Sequence, residues 1–151
     1  MTDLRELYQE VILDHNKRPR NYGPMTGATH HAVGHNPLCG DRISVHLRVE
    51  DGVVSEVRFE GSGCAISTAS ASLMTEALKG RTLDDARRVF ETFHSLVTGK
   101  GCPGGAAAEL GKLAALSGVC DYPVRVKCAT LAWHTFVAAT QDEVPKVVST
   151  E

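Results

Sequence analysis

The stretch Ile43-Ser44-Val45-His46-Leu47-Arg48-Val49-Glu50-Asp51-Gly52-Val53-Val54-Ser55-Glu56-Val57-Arg58-Phe59 alternates apolar and polar residues on both sides of an Asp-Gly pair. Ile43, Val45, Leu47 and Val49 fall on one face and Ser44, His46 and Arg48 on the other, the pattern of a half-buried strand. Asp51-Gly52 predicts a hairpin turn, with Val53, Val57 and Phe59 on the returning strand. Gly61-Ser62-Gly63 ends that strand, and a short partner strand is expected near Thr29 to Val33.

Around this strand-rich centre the periodicity is helical. Asp3 with Glu6 forms a capping-box-like pair, and Leu4, Leu7, Tyr8, Val11 and Ile12 follow a helical period to about His15. A basic, breaker-rich loop, Asn16 to Pro24, follows. From Cys64 the small residues Ala65 to Ser72 and then Leu73, Met74, Ala77 and Leu78 predict a tightly packed helix, stopped by Gly80. Thr82 with Asp85 caps another, whose buried face is Leu83, Ala86, Val89, Phe90, Phe93 and Val97. A glycine-rich connector (99–105) leads to a short helix over Ala106 to Ser117, with Leu110 and Leu113 inward. Tyr122-Pro123 breaks the chain, and a final helix runs from Lys127 to about Thr140. Strands first and helices after give an α+β fold, a small three-stranded antiparallel sheet covered by helices on one face. One domain is expected across 1–151, frayed at about 1–3 and 142–151.

The 151 residues suffice for a real core, and 42% hydrophobic with 23% charged residues is ordinary globular composition. Sixteen Lys plus Arg against 18 Asp plus Glu leave a formal charge of -2, so no basic field points to nucleic acid or anionic membrane. No apolar run approaches the roughly 20 residues of a membrane span. The polar start, Met1 to Glu6, does not read as an export signal, and five cysteines without one fit a reducing, cytoplasmic compartment.

Three of those cysteines stand where a turn can present a thiolate. Cys39 lies in Asn36-Pro37-Leu38-Cys39-Gly40-Asp41, where Gly40 lets the backbone turn so that Asp41 faces the same point. Cys64 follows a Gly-x-Gly turn at a helix start, and Cys128 is expected to open the final helix, where end amides and the dipole favour thiolate. A free cysteine taken singly is as often a small buried hydrophobe. Three sulfurs and a carboxylate together suit a tetrahedral, borderline-soft metal, zinc above all. Such a set would carry a formal charge of -2 round a dication, which Arg42, Arg125 and Lys127 could offset, although a solvated role is the ordinary one for each. Surface or packing roles are expected for His15, His46, His94 and His134, while adjacent His30 and His31 point apart on a strand. His35 is the histidine nearest the Cys39 loop. Cys102 and Cys120 read as incidental thiols, and the 99–105 glycines lack the Gly-Lys-Ser/Thr ending of a phosphate loop.

The chain resembles the NifU N-terminal/IscU-like iron–sulfur assembly family, and within it the SufU type. The resemblance is carried by Leu13-Asp14-His15 with Pro19-Arg20-Asn21, by Asn36-Pro37-Leu38-Cys39-Gly40-Asp41, by Phe59-Glu60-Gly61-Ser62-Gly63-Cys64 with Ile66-Ser67 and Ala69-Ser70-Ala71-Ser72, and by Arg125-Val126-Lys127-Cys128-Ala129-Thr130-Leu131-Ala132-Trp133. It implies a metal site of Cys39, Asp41, Cys64 and Cys128. Scaffold members carry His immediately before the third cysteine, where this chain has Lys127, and they lack a stretch corresponding to about Gly80 to Gly101. Both differences match the SufU branch, which is similar to a zinc-dependent sulfur acceptor fed by a pyridoxal-phosphate cysteine desulfurase of the SufS type, with a SufBCD-type scaffold downstream. The resemblance further implies that Cys39 is the catalytic acceptor, freed when a partner residue replaces it on zinc, with Arg125 and Lys127 in support. The alternative it leaves open is a scaffold on which a [2Fe–2S] iron–sulfur cluster is built, and a third is a structural zinc module that only activates the desulfurase.

Overall fold

The computed structural model describes residues 4–37, 40–98, 112–113, 115–116, 119, 122–140 and 147–149. Helix α1 (Leu4–Lys17) leads into a meander of β1 (His30–Asn36), β2 (Asp41–Glu50) and β3 (Val53–Ser62). Then come α2 (Ala65–Leu78), α3 (Leu83–Val97), α4 (Pro123–Ala139) and the short β4 (Val147–Ser149). Sheet order is β3-β2-β1-β4. The first three strands are antiparallel, as expected. Three residues of the tail expected to fray instead pair parallel to β1, Val33 with Val147 through His35 with Ser149.

The predicted hairpin forms. Asp51 (φ 53°) and Gly52 (φ 76°) both take positive φ, the mirror-image turn whose twist suits two paired strands. Ile43, Val45 and Leu47 point into the core with Val57 and Phe59 beside them. A register shift at Arg48/Val49 then pairs Arg48 with Glu56 but Val49 with Val54. The extra residue, Ser55, reverses the phase of β3, so Val54 is fully buried and Val53 only half-buried. The free edge of β3 is covered by the loop after α1, where Gly23 N–H donates to Phe59 C=O and Phe59 N–H to Asn21 C=O.

Helices α2 and α4 lie on one face of the sheet. The run of Ala and Ser in α2 lets it approach closely, burying Ser67 and every residue from Ala69 to Thr75. Trp133 of α4 is fully buried, stacked on Phe93 of α3 at 4.6 Å between ring centres, and its indole N–H donates to Ser70 Oγ. Gly34 is the point of closest approach between sheet and α4: a Cβ there would collide with the Thr135 hydroxyl and meet Leu131 Cδ1 at 3.0 Å. Thr82 caps α3 by accepting from Asp85 N–H, and Ala86, Val89, Phe93 and Val97 are its buried face, with Leu83 and Phe90 at the margin. The side chains of Leu4, Leu7 and Tyr8, and Asp3, Leu110, Cys102, Cys120 and the 99–105 connector, lie outside the described residues; Leu113 is buried as expected.

One boundary differs in a way that matters. The final helix begins at Pro123, four residues before the expected start at Lys127. Proline occupies the first helical position, where its missing N–H costs nothing and its fixed φ is already helical. What reads as a breaker is a starter.

Candidate metal centre

Three expected ligands come together. One atom each from Asp41, Cys64 and Cys128 lie within 4.8 Å of one another, and this is the one such group among the described residues. They arrive from the first residue of β2, the cap of α2 and the interior of α4. Cys39 lies outside the described residues, on the connection between Asn36 and Asp41, which are themselves directly paired across the end of the β1–β2 ladder.

Each donor is held for a local reason. Asp41 is fully buried, and its Oδ1 accepts from the Cys64 backbone N–H at 2.8 Å. That bond satisfies an orphan amide at the start of α2 and leaves Oδ2 turned toward the Cys64 sulfur. Oδ2 lies 3.8 Å from Cys64 Sγ. Gly63 packs directly on this carboxylate, since a Cβ there would stand 2.7 Å from Oδ1. Cys64 is itself the cap of α2, with φ -72° and ψ 169°, and its sulfur accepts from Ser67 N–H at 3.4 Å. Ser67 also carries a buried hydroxyl with no hydrogen-bond partner.

Cys128 is 2% exposed. The expectation that it opens a helix is corrected by the start at Pro123, which puts it more than a turn inside α4, away from the end amides and the dipole's strongest field. Its sulfur is approached instead by the Asn36 side-chain amide, Nδ2 to Sγ 3.9 Å. In the sequence Asn36 stands out only as part of the Asn36–Asp41 motif; its pairing with Asp41 at the end of the β1–β2 ladder is what places it.

Donors round a four-coordinate zinc, with bonds of about 2.0–2.3 Å, lie roughly 3.3–3.8 Å apart. The three donors, within 4.8 Å of one another, would have to close by up to about 1.5 Å to hold zinc. Two sulfurs and a single carboxylate oxygen, with Asp41 and Cys128 buried and Cys64 partly so, fit zinc better than a hard, oxygen-seeking cation.

Of the basic residues near the donors in sequence, Arg42 and Arg125 are exposed. Arg125 stacks over the Tyr122 ring, its Cζ 5.4 Å from the centroid, and Arg42 is exposed on β2. Lys127 is half-buried beside Cys128. His35 alternates with buried Asn36 along β1 and so occupies the opposite face of the sheet from the donors. On that face His31 stacks on His46 at 4.8 Å between rings, and His46 Nε2 lies 3.0 Å from Glu60 Oε1. His31 is held below its ordinary pKa by burial and then by His46.

The Asp14-His15 and Arg20-Asn21 motifs tie α1 to α2. Ser72 Oγ lies 2.7 Å from His15 Nδ1 and accepts from Arg20 N–H at 2.8 Å; Asn21 Nδ2 donates to Thr75 Oγ1, and the Arg20 guanidinium meets Asp14 at 2.6 Å. Arg20 is thereby committed within the chain.

Comparison with known proteins agrees with this geometry. The family model for the NifU-like N terminal domain matches residues 7–129. The zinc-dependent sulfurtransferase SufU of Bacillus subtilis is 41% identical over 131 residues, 87% of each chain. The iron-sulfur cluster assembly scaffold protein IscU of Streptococcus pyogenes is 38% identical over 139 residues, 92% of this chain and 86% of that one. A crystal structure from Fervidobacterium islandicum, named a candidate iron-sulfur cluster assembly scaffold for the SUF system, superposes with a TM-score of 0.82 at 31% identity, covering 92% of this chain and all of the other.

Proposed function

The chain belongs to the family of NifU-like N terminal domains, and from that membership we propose that it is a zinc-dependent sulfurtransferase of iron–sulfur cluster assembly, accepting persulfide sulfur from a cysteine desulfurase. The convergence of Asp41, Cys64 and Cys128 on one point is the observation that carries the reading. Zinc, when bound, supplies positive charge that keeps thiols deprotonated at neutral pH.

Asp41, Cys64 and Cys128 hold the metal, each fixed by rigid structure, and Cys39 is the fourth ligand and the acceptor. In the sequence Cys39 stands between Asn36 and Asp41, which are paired at the strand ends, and next to Gly40 at φ 72°. The Cys39 thiolate attacks the outer sulfur of the desulfurase persulfide. A sulfur–sulfur bond forms on Cys39 as the one on the desulfurase breaks, and the desulfurase cysteine leaves as thiolate. A pyridoxal-phosphate desulfurase of the SufS type is the partner, and a SufBCD-type scaffold the recipient. Lys127, standing where scaffold members carry histidine, offers no neutral ring nitrogen and so favours transfer over cluster building.

The test is mass spectrometry of the zinc-loaded protein after incubation with desulfurase and cysteine. The expected product carries about 32 Da, one sulfur atom, on the Cys39 peptide. In Cys39→Ala that mass should vanish while the circular dichroism spectrum is retained; acceptance on Cys64 or Cys128 in that variant would sink the assignment. The scaffold reading is favoured by the similarity to the streptococcal IscU. It predicts a coloured, iron-bearing protein on anaerobic purification, where transfer predicts about one colourless zinc. No helix among the described residues is long and apolar enough to cross a membrane.

A further inference from the structure

Resting on the reading of this cluster as a sulfur-handling metal centre, we propose that Asn36 is a positioning residue that holds Cys128 in place through an N–H···S hydrogen bond. Asn36 is fully buried, and its Nδ2 lies 3.9 Å from Cys128 Sγ, at the long end of what a sulfur acceptor allows. A buried amide is costly unless it is hydrogen-bonded, so its place beside a ligand sulfur has to be matched by what it donates to.

The arrangement is symmetrical. Asn36 and Asp41 are the paired residues from which the Cys39 loop springs. Asp41 grips α2 by accepting from the Cys64 N–H, and Asn36 grips α4 by donating to the Cys128 sulfur. Cys64 receives a backbone donor from Ser67 as well. Cys128 lies more than a turn inside α4, away from its end amides, and the Asn36 side chain donates to its sulfur. A donor aimed at a thiolate fixes its direction and withdraws electron density, which dulls it as a nucleophile. Sulfur chemistry is thereby steered to Cys39, and the two helix cysteines keep the metal.

The test uses the full chain without desulfurase: zinc affinity by competition with a chromophoric chelator, and the sulfur-to-cobalt charge-transfer band of the cobalt(II)-substituted protein. Asn36→Ala should weaken zinc binding roughly tenfold. Its band should move to lower energy, because a thiolate without its hydrogen bond gives up an electron more readily. Asn36→Asp keeps the shape but only accepts at neutral pH, so it should bind zinc more weakly than the alanine variant. Asn36→Asp binding zinc as tightly as the native protein, with an unmoved band, would overturn the proposal. Equal weakening in both variants with no band shift would do the same, by reducing Asn36 to packing. Where Asn36→Asp fails to fold by circular dichroism, Asn36→Ser decides: its hydroxyl should recover part of the affinity and band shift lost in alanine, and serine matching alanine overturns the idea. Native protein that accepts no sulfur would sink the sulfurtransferase reading alone, leaving these two measurements to judge Asn36.

Discussion

His15, for which a surface or packing role is expected from the sequence, is in the fold a buried strut. It is 1% exposed, and its Nδ1 meets the Ser72 hydroxyl. Because Ser72 already accepts from Arg20 N–H, we assign its proton to the bond with Nδ1, leaving Nε2 protonated toward Glu76. Glu76 is 3.4 Å away, an ion-pair distance without hydrogen-bond alignment. Burial, and then the Arg20 charge, lower the His15 pKa against the opposing pull of Glu76. The folded state thus binds its proton less readily than the unfolded chain, whose histidine titrates near 6.5. Stability is unaffected well above that pH and falls as the pH drops below it. Burial likewise lowers His31 and His134, so the three act in the same sense. Urea midpoints should therefore decline from pH 7.5 to pH 5.5, and less steeply in His15→Asn; parallel declines would remove His15 as a cause.

The elements differ in how much of them could be read beforehand. The β2–β3 hairpin was legible because alternation and an Asp-Gly turn are local signals. The Thr82 cap and the buried stripe of α3 were legible for the same reason. The start of α4 was not, because a proline that opens a helix and one that closes a segment look alike until the following turn is packed. The Ser55 phase change in β3 was also invisible, since a bulge is settled by the partner strand. Gly34 belongs here too: nothing in its sequence neighbourhood shows that α4 lies against it. Gly34→Ala should cost about 1–3 kcal/mol by driving Thr135 and Leu131 away. Denaturant titration should show the loss, and Thr135→Ala in the same chain should recover part of it. Full stability of the single variant would mean that the sheet–helix contact yields more easily than its geometry implies.

At the scale of the whole molecule, the donors tie together a strand end and two helices that are distant in the chain. A metal bound to the folded form alone stabilises it by mass action, by about 4 kcal/mol at a free concentration 1,000 times the dissociation constant. Chelation should lower the thermal midpoint and zinc restore it; an unmoved midpoint would mean that the three segments are held without metal. The sequence alone determined the class of fold, through alternating strands followed by capped helices. Through residue type, it also determined that Cys39, Asp41, Cys64 and Cys128 are candidates for one soft-metal site. It could do so because apolar period, turn chemistry and ligand softness are properties of residues and their near neighbours. Only the tertiary structure decided that Asp41 presents Oδ2, that Gly63 must be bare, that Cys128 sits inside its helix and that Asn36 stands beside it. Those depend on contacts between segments up to 92 residues apart, and such contacts come into being when the core packs.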